Sequence, residues 1–292
     1  MCRRVWTTIV ALVIAACGLP EDGTAPLGDA APDVIVPAVD ASADGAPPLD
    51  ASGSDVAVPD AGNDAPLVTA GFALDFDGGN YVAIGPFTIP SDFTIEAWVQ
   101  PTSTANETYI IAEDRDGQGD GQFRLGIAAG KLFFMMTDGG GSSHGLYAGG
   151  YSLMSPQTIP TGMWSHVAVS KSGAAFELVV DGVSAATFTS SAPTIVYGGP
   201  AVVLRIAARV GSDGTSAEGT FDGTIDEVRF WDLARSDAAI ASTMSMEIPK
   251  ASAGLMAYWR FDEGMGTTTA DQEGAYPGTL VSSPLWVVST AF

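Results

Sequence analysis

The chain has 292 residues, 12 basic against 34 acidic, with a formal net charge of −22 and two cysteines. A surface this acidic repels phosphate backbones, which excludes nucleic acid as a partner. With only Cys2 and Cys17 available, no internal disulfide framework can form once the leader is removed, so a fold must rest on a packed core.

Residues 1–16 begin with Arg3 and Arg4 and continue as an apolar run from Val5 to Ala16. Positive charge ahead of a short apolar stretch marks a secretory signal. At about 12 residues the run falls short of the roughly 20 that cross a bilayer. It closes on Ile14-Ala15-Ala16-Cys17-Gly18, which resembles the bacterial lipobox. That resemblance implies diacylglycerol transfer to the Cys17 thiol, cleavage before it and acylation of the new amino terminus. Several acyl chains hold a protein stably where one does not. The expectation is an exported lipoprotein of the cell envelope, in the outer membrane or at the cell surface, touching the membrane through its lipid anchor only. Gly18 in place of Asp after the cysteine favours the outer membrane.

Residues 17–70 follow as a linker. From 18 to 70 there are nine Asp, one Glu, eight Pro, twelve Ala and six Gly, with no basic or aromatic residue. Such a segment cannot bury enough apolar area to offset its ordering entropy, and its like charges extend it. As a flexible coil it would reach roughly 40 Å. The spacing predicts a disordered tether.

From Gly71 onward, residues 71–292 read as strands and turns. Phe93-Thr94-Ile95-Glu96-Ala97-Trp98-Val99 alternates with period two. Further β-rich runs lie at Tyr109–Ala112, Phe123–Ala128, Leu132–Thr137, Trp164–Ser170, Phe176–Asp181, Val202–Ala207, Ile225–Trp231 and Leu255–Phe261. Gly, Asp and Pro punctuate them at short intervals, as in an antiparallel two-sheet sandwich. Only Ser236–Met244, opened by a Ser cap and Asp237, reads as a helix. The fold class is all-β.

Four stretches carry a family resemblance. They are Ala73–Val82 followed by Phe93–Val99, Gly162–Val169 leading to Leu178–Gly182, Phe221–Trp231, and Gly254–Gly264. In this order they resemble the laminin-G-like, concanavalin A-like jelly-roll module of exported bacterial proteins. The resemblance implies a jelly-roll sandwich, often with one Ca²⁺ near the sheet rim and a glycan or extracellular protein as ligand. The fourth stretch often precedes such a module; here residues 254–292 either complete this domain or begin a truncated further repeat.

The candidate sites are few. Asp226 falls in the alternating register of Val228 and Phe230, and a carboxylate in core register must be paired, hydrogen-bonded or metal-bound. Asp77, in the turn Phe76-Asp77-Gly78, is the matching carboxylate at the domain start. The resemblance makes Asp77 and Asp226 candidate Ca²⁺ ligands, with a turn cap and backbone bonds as the metal-free alternative. A second acidic loop, with Asp114, Asp116 and Asp120, opens like an EF-hand but has Gln118 and Leu125 where two ligands belong. Gly141-Ser142-Ser143-His144-Gly145 matches G-x-S-x-G without the strand–turn–helix it requires. Strict alternation would put Asp226 and Glu227 on opposite faces, unable to flank one glycosidic bond. No catalytic residue is therefore assigned, and the chain is expected not to be an enzyme. The loop from Asp138 to Tyr151, with His144, Tyr147 and Tyr151, is the candidate ligand rim. The expected function is carbohydrate binding or adhesion; the alternatives are protein–protein interaction or a structural envelope role, then a glycoside hydrolase-related enzyme.

Overall fold

The computed structural model describes residues 71–114, 123–136, 153–190, 202–211 and 213–292. In chain order these form β1 (Phe72–Asp77), β2 (Tyr81–Phe87), β3 (Phe93–Pro101), β4 (Thr108–Asp114), β5 (Phe123–Ala128) and β6 (Lys131–Met136). Then come β7 (Leu153–Thr158), β8 (Ser165–Ser172), β9 (Ala175–Val180), β10 (Val183–Thr189), β11 (Val202–Ile206), β12 (Arg209–Val210), β13 (Ala217–Glu218) and β14 (Asp222–Trp231). Helix α1 (Asp237–Ala241) precedes β15 (Leu255–Trp259), β16 (Thr268–Thr269), β17 (Gly278–Val281) and β18 (Leu285–Val288).

Among the described residues the strands form two antiparallel sheets and a small β12–β13 hairpin. The first sheet runs β10-β9-β8-β3-β14-β1-β18, with β15 also on β14. The second runs β16-β17-β2-β11-β4-β5-β6-β7. The all-β sandwich expected from the alternating runs is thus the fold. The side chains that alternate inward on β3, Phe93, Ile95, Ala97 and Val99, enter the core between the sheets. Phe93 sits at its centre, 5.7 Å from Phe230 and 6.1 Å from Phe134 between ring centroids, distances at which tilted rings attract.

The end of the chain is part of this domain. β15 pairs with β14, β17 with β2 and β18 with β1, so residues 254–292 contribute to both sheets and are not a truncated repeat.

At β3 the outer face of the first sheet is not open to water. Thr94, Glu96 and Trp98 of β3 point away from the core, yet all are buried. The segment from Asp232 to Gly254, including α1, lies over them. Trp98 Nε1 donates to the Met244 carbonyl at 2.7 Å and Thr94 Oγ1 to the Leu233 carbonyl at 2.9 Å. Ile240 of α1 packs on Ala168 and Val179. Ser236 caps the helix by accepting from Ala239 N at 3.2 Å.

Candidate functional site

β14 makes the site. Along one side it pairs with β3; along the other it is shared end to end, Asp222–Ile225 with β1 and Val228–Trp231 with β15. Asp226 and Glu227 fall at the junction, where the ladder with β3 shifts register: Asp226 is opposite Trp98, and the next pair is Arg229 with Glu96. Glu227 has φ 52, the left-handed conformation of a bulged residue. The extra residue turns Asp226 out of the register of Val228 and Phe230. It corrects the reading from strict alternation: the side chains do not separate to opposite faces, and both line one cavity of about 700 Å³.

That cavity is polar with aromatic edges. Its wall includes Asp226, Glu227, Glu247, Asp262 and Arg260, with Phe72 and Phe292 beside them. Asp226 Oδ2 accepts from Ser289 Oγ at 2.5 Å and Oδ1 from Glu227 N at 2.8 Å. Burial pushes the Asp226 carboxyl up, and the negative charges of Glu227 and Asp262 add to this against the Ser289 bond, so it reaches about 8. Burial likewise raises Glu227, against the pull of Arg229. Glu227 Oε2 accepts from Arg229 Nη2 at 2.8 Å and from the Tyr258 hydroxyl.

One oxygen of that pair is left over. Among the described residues the cation near Glu227 Oε1 is Arg260, its Nε at 4.0 Å, beyond hydrogen-bond distance. Arg260 Nε is itself buried without a hydrogen-bond partner. The two terminal contacts of Arg260 are made elsewhere, at 2.6 Å to Glu247 and 2.6 Å to Asp262.

A second layer fixes this wall from behind. Arg229, fully buried, donates to the Thr243 carbonyl at 3.1 Å and the Met246 carbonyl at 2.7 Å. Glu96 receives Arg235 as a direct ion pair, with Arg229 Nη1 at 3.9 Å and His166 Nε2 at 3.4 Å. Burial alone would raise the Glu96 carboxyl, but the contact with His166 and the charges of Arg235 and Arg229 prevail and hold it below its ordinary value. His166 packs edge-on against Trp98, 5.3 Å between ring centroids, and lies at this cluster.

The remaining sequence candidates fall elsewhere. Asp77 is exposed; its Oδ1 accepts from Gly79 N at 2.9 Å, as a turn cap does. In the β1–β14 ladder Asp77 is opposite Asp222 while Leu74 is opposite Ile225, so Asp77 and Asp226 stand at different ends of the pairing and share no cation site. Among the described residues no three His, Cys, Asp or Glu side chains converge to hold a metal ion. Asp114 closes β4. Cys17, Asp116, Asp120, His144, Tyr147 and Tyr151 lie outside the described residues. The strand ends that bracket the candidate loops are neighbours: Asp114 pairs with Val203, Phe123 with Glu113 and Met136, and Leu153 with Phe134.

Sequence reasoning missed the cavity. The signal present was two adjacent carboxylates inside an apolar strand, Ile225-Asp226-Glu227-Val228, a pattern that strict alternation cannot place and a bulge can.

Comparison with known proteins fits this architecture. The profile of the concanavalin A-like lectin/glucanases superfamily matches residues 76–241. Among solved structures, a candidate carbohydrate binding protein from Bacteroides ovatus ATCC 8483 superposes with a TM-score of 0.59 at 20% identity, over 77% of this chain and 61% of that one. The native heptameric SAP-like pentraxin from Limulus polyphemus superposes with a TM-score of 0.52 at 13% identity, over 76% of this chain and 97% of that one. At these identities the likeness is one of fold. A comparison with curated protein sequences gives no significant match.

Proposed function

The chain belongs to the concanavalin A-like lectin/glucanases superfamily, and from that premise we propose that it is a non-enzymatic carbohydrate-binding module, displayed on the cell envelope through lipidation of Cys17. One observation carries the reading. Glu227 Oε1 and Arg260 Nε, an acceptor and a donor 4.0 Å apart, are both left without a hydrogen bond on the wall of a cavity of about 700 Å³. A single hydroxyl group donates to Glu227 Oε1 and accepts from Arg260 Nε–H, which is the chemistry a sugar offers repeatedly. Phe72 and Phe292 supply apolar surface for a ring face. Arg260 Nε, buried without a hydrogen-bond partner, favours a ligand that brings it an acceptor, because leaving a buried donor unpaired is costly.

A glycan array on the purified full chain tests this, with Arg260→Ala as control. The expected result is retention of at least one class of oligosaccharide, weakened at least about tenfold in the variant. Retention of none overturns the reading.

A second reading, recognition at the rim carrying His144, Tyr147 and Tyr151, is favoured by the side-by-side strand ends at one end of the second sheet. Calcium stabilisation stays in the proposal only for Asp114, Asp116 and Asp120, since Asp77 and Asp226 stand apart. Its test is a melting curve with and without chelator, where an unchanged midpoint removes it.

A further inference from the structure

The cavity on β14 has a charge imbalance that neutral-sugar recognition does not require. Its wall presents four carboxyl groups; with Asp226 raised to about 8 by burial, the charges of Glu227, Glu247 and Asp262 stand against the single guanidinium of Arg260. Arg260 is already engaged by Glu247 and Asp262 at 2.6 Å each. Arg229 touches Glu227 from behind through Oε2. What remains facing the cavity is Glu227 Oε1, on a side chain only 5% exposed and without a hydrogen bond, and close by it Asp226. In a recess of low dielectric, such a field penalises an incoming anion and favours a cation.

The cavity also asks for more than a cation. Arg260 Nε–H is a buried donor without an acceptor, only 4.0 Å from Glu227 Oε1. An ammonium group brings donors only and cannot satisfy it. A ligand that meets both atoms carries an ammonium beside a hydroxyl, the arrangement found on neighbouring carbons of an amino sugar ring. A lysine side chain lacks the second group.

We propose that this cavity selects glycans bearing a free amino group, with the ammonium on Glu227 and Asp226, an adjacent hydroxyl on Arg260 Nε–H, and the ring against Phe72 or Phe292. The inference rests on the glycan-binding reading of the same site. Burial raises the Asp226 carboxyl to about 8, and an ammonium seated beside it lowers it again, so binding near pH 7 releases a proton to the buffer.

The experiment measures affinity of the full chain for three probes of equal length: a de-N-acetylated chitin tetramer, the fully N-acetylated tetramer and a tetramer of uronic acid. Calorimetry in buffers of different ionisation enthalpy counts protons. The expected order is amine over acetamide by at least about tenfold, with the uronate unbound and the preference falling as salt is added. Glu227→Gln should remove the preference; since Glu227 also holds Arg229 and Tyr258, Glu247→Gln, at an exposed carboxylate, serves as the variant that keeps the fold. It frees Arg260 and should reduce the preference at least about threefold. Equal affinity for amine and acetamide, or binding without proton release, overturns this inference and leaves glycan binding standing. Failure to bind any of the three, with an empty glycan array, overturns both. A lysine-bearing peptide bound more tightly than the amino sugar overturns the sugar assignment.

Discussion

Arg229 lies directly opposite Glu96 across the β3–β14 ladder, and both side chains are fully buried, with Nη1 3.9 Å from Oε2. Arg235 and His166 complete the cluster from the covering segment and from β8. Removing the Glu96 charge leaves Arg235 without its carboxylate and Arg229 with Glu227 alone, and an uncompensated buried charge costs more than the cluster itself contributes. Glu96→Gln is therefore expected to destabilise the domain by about 3–5 kcal/mol. Urea unfolding followed by tryptophan fluorescence measures it; a loss below about 1 kcal/mol would show that the cluster is not held as drawn.

Stability should peak on the acid side of neutrality. The folded Asp226 carboxyl titrates near 8 against 3.8 for the unfolded group, so between those values the folded state holds a proton the unfolded state has lost. Stability then falls as pH rises through this window, by at most about 1.4 kcal/mol per pH unit for one proton. Glu227, also raised, acts in the same direction. Glu96 is lowered and acts oppositely: its contribution is present above the ordinary glutamate range and lost as pH falls through its folded value. Asp226→Asn should flatten the alkaline side while leaving the acid side. Melting midpoints from pH 3 to 9 decide it, and an unchanged alkaline slope in the variant refutes the assignment.

Gly223 is a backbone requirement of the same strand. It has φ 136, and a Cβ there would stand 2.3 Å from the Gln100 carbonyl oxygen and 2.7 Å from Pro101 Cα. Neither neighbour is a side chain that can swing aside. Gly223→Ala is expected to cost more than about 2 kcal/mol, whereas Gly85→Ala, whose Cβ would meet nothing within 4 Å, should cost less. Comparison of the two unfolding midpoints checks this.

The cavity and the loop rim make opposite predictions. If the cavity is the ligand site, Tyr147→Ala with Tyr151→Ala changes glycan affinity by less than about threefold, while Arg260→Ala lowers it by more than about tenfold. The reverse pattern would move the site to the rim.

The Cys17 proposal is tested in cells. Cys17→Ser should shift the chain from the membrane to the soluble fraction and abolish incorporation of labelled fatty acid. Continued membrane association of the variant would mean that lipid is not the attachment.

Much of the sandwich was legible because its signals are local. Period-two alternation at Phe93–Val99 follows from the pleat, and the structure gives β3 there. The Ser236 cap foretold α1. Short strands such as β16 and β17 were not legible, since strands this short carry no periodicity and are defined by their partners.

The sequence by itself determined the acidity of the chain, the Cys17 motif, the all-β class and the four ordered family motifs, because each depends on residue identity at fixed spacing. Only the tertiary structure decided where the carboxylates of β14 go. Alternation sends Asp226 and Glu227 to opposite faces; the meeting of β1 and β15 on one side of the strand inserts a bulge and brings both into one cavity. The pairing that imposes this comes from strands about 150 residues upstream and about 30 residues downstream, which no local pattern encodes. The same holds for Glu96, a polar position of an alternating strand that is buried because the segment after β14 covers it.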